Sequence, residues 1–403
     1  MTTATVMEPT LPDDPGLRAL GEDLARAALG LGGGLHSGTL AAVTRLLRTV
    51  NCYYSNLIEG HDTHPIEIER AMRQEYAPGS HLRNLQLEAL AHIDVQVLLE
   101  DELTRHPLLN VCAPEFLLRV HREFYERLPA EFRVVKEPAT GRVEPVIPGA
   151  IRAYDVRVGQ HVAPAYGDVP HLLERFGVVY DPADRAPAAG LVVLAASHHR
   201  LLWIHPFGDG NGRVTRLMTE LYLRRLGLPT SGLWSISRGL ARRSNDYRAA
   251  LAAADAERWN DYDGRGPLSH RALVAFCRFF LEVALDQVQY MGGLLRVDDL
   301  AERVARYGKA REAGVLGGEP LAAGVRQWHE DETRLLRDLV YRGRIPRGEV
   351  SGMLKLPERT ARRVVRRLSV EGFIESPTSR APLGVRFPAH AALHLFPGLY
   401  QVS

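Results

Sequence analysis

The sequence predicts a mostly α-helical protein with one short β insertion and a small helical unit near its C-terminal end. Three observations carry this expectation. Apolar residues recur at helical spacing from Leu40 to about residue 294. Only between 132 and 165 does the pattern change to short alternation rich in Val, Pro and Gly. A G-V-L-G-G-E-P-L-A-A-G stretch at 314–324 then breaks the periodicity, as a linker would, ahead of three further helical patterns.

Residues 1–16 are small, polar and Pro-rich, a composition expected to be disordered. Residues 17–110 read as an N-terminal helical region. Within it Leu40, Val43, Leu47, Val50, Tyr54, Leu57 and Ile58 place a helix over about 38–60, with Gly60 as its stop. Helical patterns follow at 82–104 and 114–128. A core over 111–295 contains the β-hairpin or extended loop at 132–165, then helices at 168–180, 187–203, 212–226, 238–258 and 269–294. Residues 296–328 read as helix and linker. The last unit, 329–403, shows helices at 330–342, 346–354 and 358–371, then a β-like run F-I-E-S-P-T-S-R-A-P-L-G-V-R-F. Three helices and a two-stranded element make the pattern of a winged helix-turn-helix.

At 403 residues the chain has room for two or three domains of roughly 150 residues each. Its 45% hydrophobic and 24% charged residues are ordinary for a globular protein with a sizeable core. The formal charge of +2 gives no global sign of a nucleic-acid or membrane partner. Three scattered cysteines without a C-x-x-C pair support neither a disulfide framework nor a thiolate zinc site. The first residues lack a basic region and an apolar run, and no stretch approaches the ~20 apolar residues that span a bilayer. A cytoplasmic protein without membrane contact is the expectation.

The chemistry concentrates in His205-Pro206-Phe207-Gly208-Asp209-Gly210-Asn211-Gly212-Arg213-Val214-Thr215-Arg216. Alternating Gly208, Gly210 and Gly212 let the backbone turn tightly with its N–H groups inward, an anion-binding nest. Val214, Leu217, Met218 and Leu221 then mark a helix, so the turn sits at a helix N-terminus that favours phosphate. Arg213 and Arg216 lie three apart on one face and can grip further phosphate oxygens. Asp209 offers the hard oxygen that Mg²⁺ prefers when it also holds phosphates. His205 at the mouth of the turn suits general-base work. A Walker loop would need a lysine, a Rossmann loop a preceding strand, and a calcium loop several acids. None of these is present.

This segment resembles the Fic-family signature H-P-F-x-[DE]-G-N-G-R-x-x-R, with every defined position present. H-H-R-L-L-W-I before it, V-R-V-G-Q-H-V-A-P at 156–164 and Tyr247-x-x-x-Leu251 after it extend the likeness over about residues 30–295. The resemblance implies that His205 deprotonates an incoming hydroxyl and that Asp209 binds Mg²⁺ bridging the α- and β-phosphates of ATP. Asn211 with the backbone of Gly210 and Gly212 would hold the α-phosphate, Arg213 the β-phosphate and Arg216 the γ-phosphate, and Gly208 would also line the nucleotide site. Phe207 would anchor the turn. A flap carrying Val143, Pro145, Val146 and Ile147 would register a target segment by strand addition. Gly at 212 in place of Lys favours AMP transfer over the kinase-like variant.

Tyr54-Ser55-Asn56-Leu57-Ile58-Glu59-Gly60 matches a second pattern of the family, [ST]-x-x-x-E-[GN]. The resemblance implies an inhibitory helix whose Glu59, with Ser55 on the same face, pairs with Arg216 in place of the γ-phosphate. The expected activity is AMP transfer from ATP to a Ser, Thr or Tyr hydroxyl of a protein, with self-modification. UMP or phosphocholine transfer are the alternatives within the family. Outside it stands a DNA-binding regulator whose core senses nucleotide. Arg359, Arg362, Arg363, Arg366 and Arg367 fall on the candidate recognition helix, so the partners considered are a protein target, duplex DNA through the winged helix and a second copy of the chain. His198 and His199 point to different helix faces and read as structural.

Overall fold

The computed structural model describes residues 6–136, 143–228, 232–316 and 328–400. Along the chain run α1 (Pro15–Leu29), α2 (Ser37–Ile58), α3 (Pro65–Met72), α4 (Ser80–Arg105), α5 (Pro114–Glu126), β1 (Val134–Lys136), β2 (Val143–Pro145), β3 (Arg157–Val158) and β4 (His161–Val162). Next come α6 (Val169–Val179), α7 (Pro187–Ile204), α8 (Asn211–Arg225), α9 (Ile236–Arg242), α10 (Ser244–Ala254), α11 (His270–Leu294) and α12 (Val297–Glu312). The chain ends with α13 (Glu330–Arg342), β5 (Arg344–Ile345), α14 (Val350–Leu354), α15 (Glu358–Val370), β6 (Ile374–Glu375), β7 (Leu383–Val385) and α16 (Ala389–Leu395). The protein is mostly α, as its periodicity indicates. Two compact units divide it, with boundaries inside α2 after Val50 and inside α11 after Val288. Residues 30–50 and 64–69 therefore group with the C-terminal unit, a discontinuity that the expected sequential domains do not contain.

The first unit is built around α7. Gly190 to Leu201 are buried without interruption, Ser197, His198, His199 and Arg200 included, so this helix is enclosed on every side and forms the centre of the unit. α1 lies against it so closely that a Cβ on Gly21 would strike the Ala188 carbonyl oxygen at 2.6 Å. α5 starts with Pro114 at its first turn and buries Phe116, Leu117, Val120, His121, Phe124 and Tyr125 along one stripe. The expected 238–258 helix is two helices. Arg243 leaves helical geometry at φ −117° and ψ 38°, while Ser235 caps the new start by accepting from the Arg238 N–H. The 132–165 insertion forms two separate antiparallel ribbons, β1–β2 and β3–β4.

The expectation of disorder over residues 1–16 fails for residues 6–14. Met7 is fully buried, the Pro9 carbonyl accepts from the buried Arg200 guanidinium at 2.8 Å, and the Tyr180 hydroxyl donates to the Thr10 carbonyl at 2.7 Å. Polar composition hides this because the segment is held by backbone carbonyls, which every residue has.

In the second unit β5, β7 and β6 form a three-stranded antiparallel sheet in that order. β5 lies between α13 and α14 and adds a third strand to the expected two; two residues are too short to show a strand rhythm. α15 buries Ala361, Val364, Val365 and Leu368 and exposes Arg359, Arg362, Arg363 and Arg366. Arg367 turns inward to Glu332 at 2.8 Å. Part of the expected linker at 314–324 lies outside the described residues, as do residues 137–142 of the 132–165 insertion.

Candidate active site

α7 stops at His205 because that residue adopts a left-handed backbone, φ 50° and ψ 61°, with its N–H still bonded to the Leu201 carbonyl. A non-glycine residue held there signals a local constraint. The constraint is Arg152. Its backbone N–H donates to the Pro206 carbonyl at 2.9 Å, and its buried guanidinium donates to the carbonyls of His205 at 2.8 Å, Tyr154 at 2.8 Å and Pro164 at 2.5 Å. One arginine thus ties the segment after β2 to the mouth of the turn. Burial, with Arg152 nearby, lowers the His205 imidazole to about 4 against the pull of a hydrogen bond to the Leu202 backbone. At neutral pH it is a neutral acceptor of protons.

Phe207 is fully buried and stacks on His121 with centroids 4.1 Å apart and planes 8° from parallel. His121 in turn donates through Nε2 to the Asp209 carbonyl at 3.2 Å and accepts from the Gly149 N–H at 2.9 Å. Gly210 takes φ +81°, and an added Cβ would run into the Tyr125 ring. Only glycine fits this point on both counts. Asn211 spends both ends of its amide inside the turn: Oδ1 accepts from the Phe207 N–H at 2.9 Å and Nδ2 donates to the Phe207 carbonyl at 2.8 Å. Its side chain thus braces the turn in this structure, where the family resemblance implies a contact to the α-phosphate. The first N–H groups of α8 have no partner within their own helix and remain available as donors at the turn.

Asp209, Arg213 and Arg216 are brought together as expected, each with carboxylates or hydroxyls. Tyr125 donates its hydroxyl to Asp209 Oδ2, and Arg213 Nη2 donates to the same oxygen at 2.8 Å. Burial raises the Asp209 carboxyl, but Arg213, the Tyr125 hydroxyl and the Gly210 N–H outweigh it and hold the group below its usual range. The Asp209 side chain stays 42% exposed. Among the described residues no group of three His, Cys, Asp or Glu could form a metal cage. One accessible carboxylate beside free N–H groups does fit Mg²⁺ that arrives with phosphates and keeps most of its waters.

The second pattern docks onto this turn. Arg216 donates through Nη2 to Glu59 Oε1 at 2.6 Å and through Nε to Ser55 Oγ at 2.9 Å. Burial raises the Glu59 carboxyl, yet Arg216 and Arg213 overcome it and leave the group lowered. Gly212 faces this pair: a Cβ there would overlap Glu59 Oε1.

Of the flap residues, Val143 and Ile147 are exposed at 59% and 62%. Pro145 is likewise exposed at the end of β2. Val146 is buried, with its N–H bonded to the Arg133 carbonyl at 2.7 Å, so it anchors the flap and offers no docking surface. β2 pairs with β1 alone, in the register Val135↔Glu144, leaving its other edge without a strand among the described residues. His198 bridges the Thr219 and Tyr247 hydroxyls at 2.8 Å each, and His199 meets Asp255 at 3.0 Å, which agrees with their structural reading.

Five residues of the site carry no local sequence motif: His61, Glu88, His121, Tyr125 and Arg152. Glu88 did leave a signal, since Leu85, Glu88, Ala89 and His92 put an acid on the buried stripe of α4.

Residues 111–223 match the Fic/DOC family. Protein adenylyltransferase Fic of Drosophila virilis is 38% identical over 89 residues, which is 22% of this chain and 18% of that protein. The Drosophila melanogaster protein of the same name is 37% identical over a stretch of 89 residues. The chain thus matches less than a fifth of the length of these relatives. A crystal structure of a Fic family protein from Desulfovibrio desulfuricans G20 shares the fold with a TM-score of 0.53 at 18% identity, covering 94% of this chain and 98% of that one. The motif, the turn that it builds and these likenesses agree: residues 111–223 of this chain form a Fic/DOC family domain.

Proposed function

We propose that this protein is a protein adenylyltransferase that moves AMP from ATP to a hydroxyl side chain, and that Glu59 holds it inhibited. The observation that carries the reading is the turn itself, in which a desolvated neutral His205 stands at the rim of a glycine-lined helix N-terminus flanked by Asp209, Arg213 and Arg216.

The acceptor hydroxyl attacks the α-phosphorus of ATP, forming an O–P bond as the bond to the pyrophosphate oxygen breaks. His205 takes the hydroxyl proton. The first N–H groups of α8 hold the α-phosphate and the charge that grows on it, and the two arginines hold the leaving pyrophosphate. Mg²⁺ at Asp209 supplies charge neutralisation to the phosphates when bound. An extended target segment adds to the free edge of β2 and brings its Ser, Thr or Tyr over His205. With Arg216 committed to Glu59 and Ser55, the triphosphate end lacks its grip and turnover is suppressed. Related names support this reading, since the Drosophila proteins are called protein adenylyltransferases.

Label transfer from α-³²P ATP tests it. The Glu59→Gly protein should label itself or an added protein, and the Glu59→Gly, His205→Ala protein should not. Label retained after loss of His205, or transfer of UMP or phosphocholine in preference to AMP, overturns it.

A second reading rests on α15, whose exposed Arg359, Arg362, Arg363 and Arg366 form a basic face in a winged-helix-like unit. Such a face suits duplex DNA through phosphate contacts. Filter binding should then weaken steeply with salt.

A further inference from the structure

Glu88 sits in the middle of α4 with none of its side chain exposed. Its two oxygens go to different partners: Oε1 accepts from Arg213 Nη1, and Oε2 pairs with His61 Nδ1 at 2.6 Å. A carboxylate is strongly disfavoured in such a place unless each oxygen is bonded, and here each is. Arg213 is nearly as enclosed, with 6% of its side chain exposed and both terminal nitrogens bonded. Nη2 reaches Asp209 at 2.8 Å and the Tyr125 hydroxyl at 3.2 Å, while the guanidinium lies over the rings of Phe124 and Tyr125 at 5.1 and 5.9 Å.

An arginine grips phosphate well only when the plane and direction of its fork are fixed. The aromatic rings fix the plane. They leave the fork free to turn within it, and a carboxylate on Nη1 removes that freedom by aiming Nη2 at the Asp209 side of the turn. His61 keeps the carboxylate itself from turning, because it holds the oxygen that Arg213 does not use. We infer that Glu88 is the positioning residue for Arg213: it sets the guanidinium fork that receives the β-phosphate. This inference rests on the adenylyltransferase reading.

The test compares nucleotides that do and do not reach Arg213. Calorimetric titrations of ATP, ADP and AMP with Mg²⁺ use the full-length Glu59→Gly protein, then the same protein with Glu88→Gln. ATP and ADP, which carry a β-phosphate, should bind roughly tenfold more weakly after the change, the usual weight of one charge-assisted hydrogen bond. AMP should bind as before. A loss shared equally by all three nucleotides shows a general structural role and overturns the inference, as does unchanged ATP affinity. If Glu88→Gln fails to melt cooperatively, Glu88→Asp takes its place: it keeps the charge but withdraws it, and a selective loss of ATP and ADP over AMP is again required. A Glu59→Gly protein that binds no nucleotide at all sinks the adenylyltransferase reading itself, which is a different outcome from selective or unselective loss in the second variant.

Discussion

Arg216 of α8 joins Glu59 at 2.6 Å with only 2% of its own side chain exposed, so a single guanidinium closes over the end of α2 from inside the turn. Ser55, one helical turn before Glu59, takes the Nε hydrogen and its carbonyl takes another, at 2.9 and 3.0 Å. The spacing of four residues therefore has a physical purpose: both acceptors face the same planar fork. Removing Glu59 withdraws one charge-assisted contact but leaves the two from Ser55.

Glu59→Gly is expected to raise the initial rate of AMP incorporation by roughly tenfold or more, the weight of a charge-assisted hydrogen bond of about 1.5–3 kcal/mol. The thermal midpoint should fall at the same time, because Arg216 loses its carboxylate. Scanning calorimetry and label incorporation on one preparation check both directions. A rate that does not rise removes the inhibitory role from Glu59.

His205 is held to about 4 by burial, so it is already neutral throughout the physiological range. An ordinary histidine near 6.5 would lose half its base form at that pH. The transfer rate of the Glu59→Gly protein should accordingly stay flat from pH 6 to 8 and fall only below about pH 5. An inflection near 6.5 in the rate profile argues that His205 is solvated when it works.

Glu220 is buried on α8, pushed up to about 8 first by burial and then by the neighbouring Glu100. Its folded pKa lies above the unfolded one, so the folded state binds the extra proton between the two values. Stability then falls as pH rises through that window and the penalty is complete above about 8. Glu220→Gln should raise the thermal midpoint more at pH 8 than at pH 5. Equal shifts at both pH values contradict the buried, protonated carboxyl.

Asn211→Ala leaves the buried Phe207 N–H and carbonyl without partners, at a cost of about 1–3 kcal/mol for each unsatisfied group. Nucleotide affinity of the Glu59→Gly protein should drop with it, because the turn that presents the α8 N–H groups loses its brace. Denaturant melts and ATP titration measure the two effects. Intact stability would mean that the turn is held by Arg152 and His121 alone.

The sequence determined the helical class, the location of the turn and the residue types in it. Periodicity is a local property, and the alternating glycines between His205 and Arg216 state their geometry within twelve consecutive positions. It determined as well that Ser55 and Glu59 share a helix face. Tertiary structure alone decided who stands around these residues. Glu88, Tyr125, His121 and Arg152 come from two helices and a loop, separated from the turn by 53 to 125 residues in the bonds that they make. Their roles depend on burial and on partners brought in from elsewhere, and no local pattern encodes either. The same reason explains the N-terminal segment, whose order comes from carbonyls seized by Arg200 and Tyr180. It also explains Asn211, whose amide is drawn to the backbone of its own turn once that turn has closed.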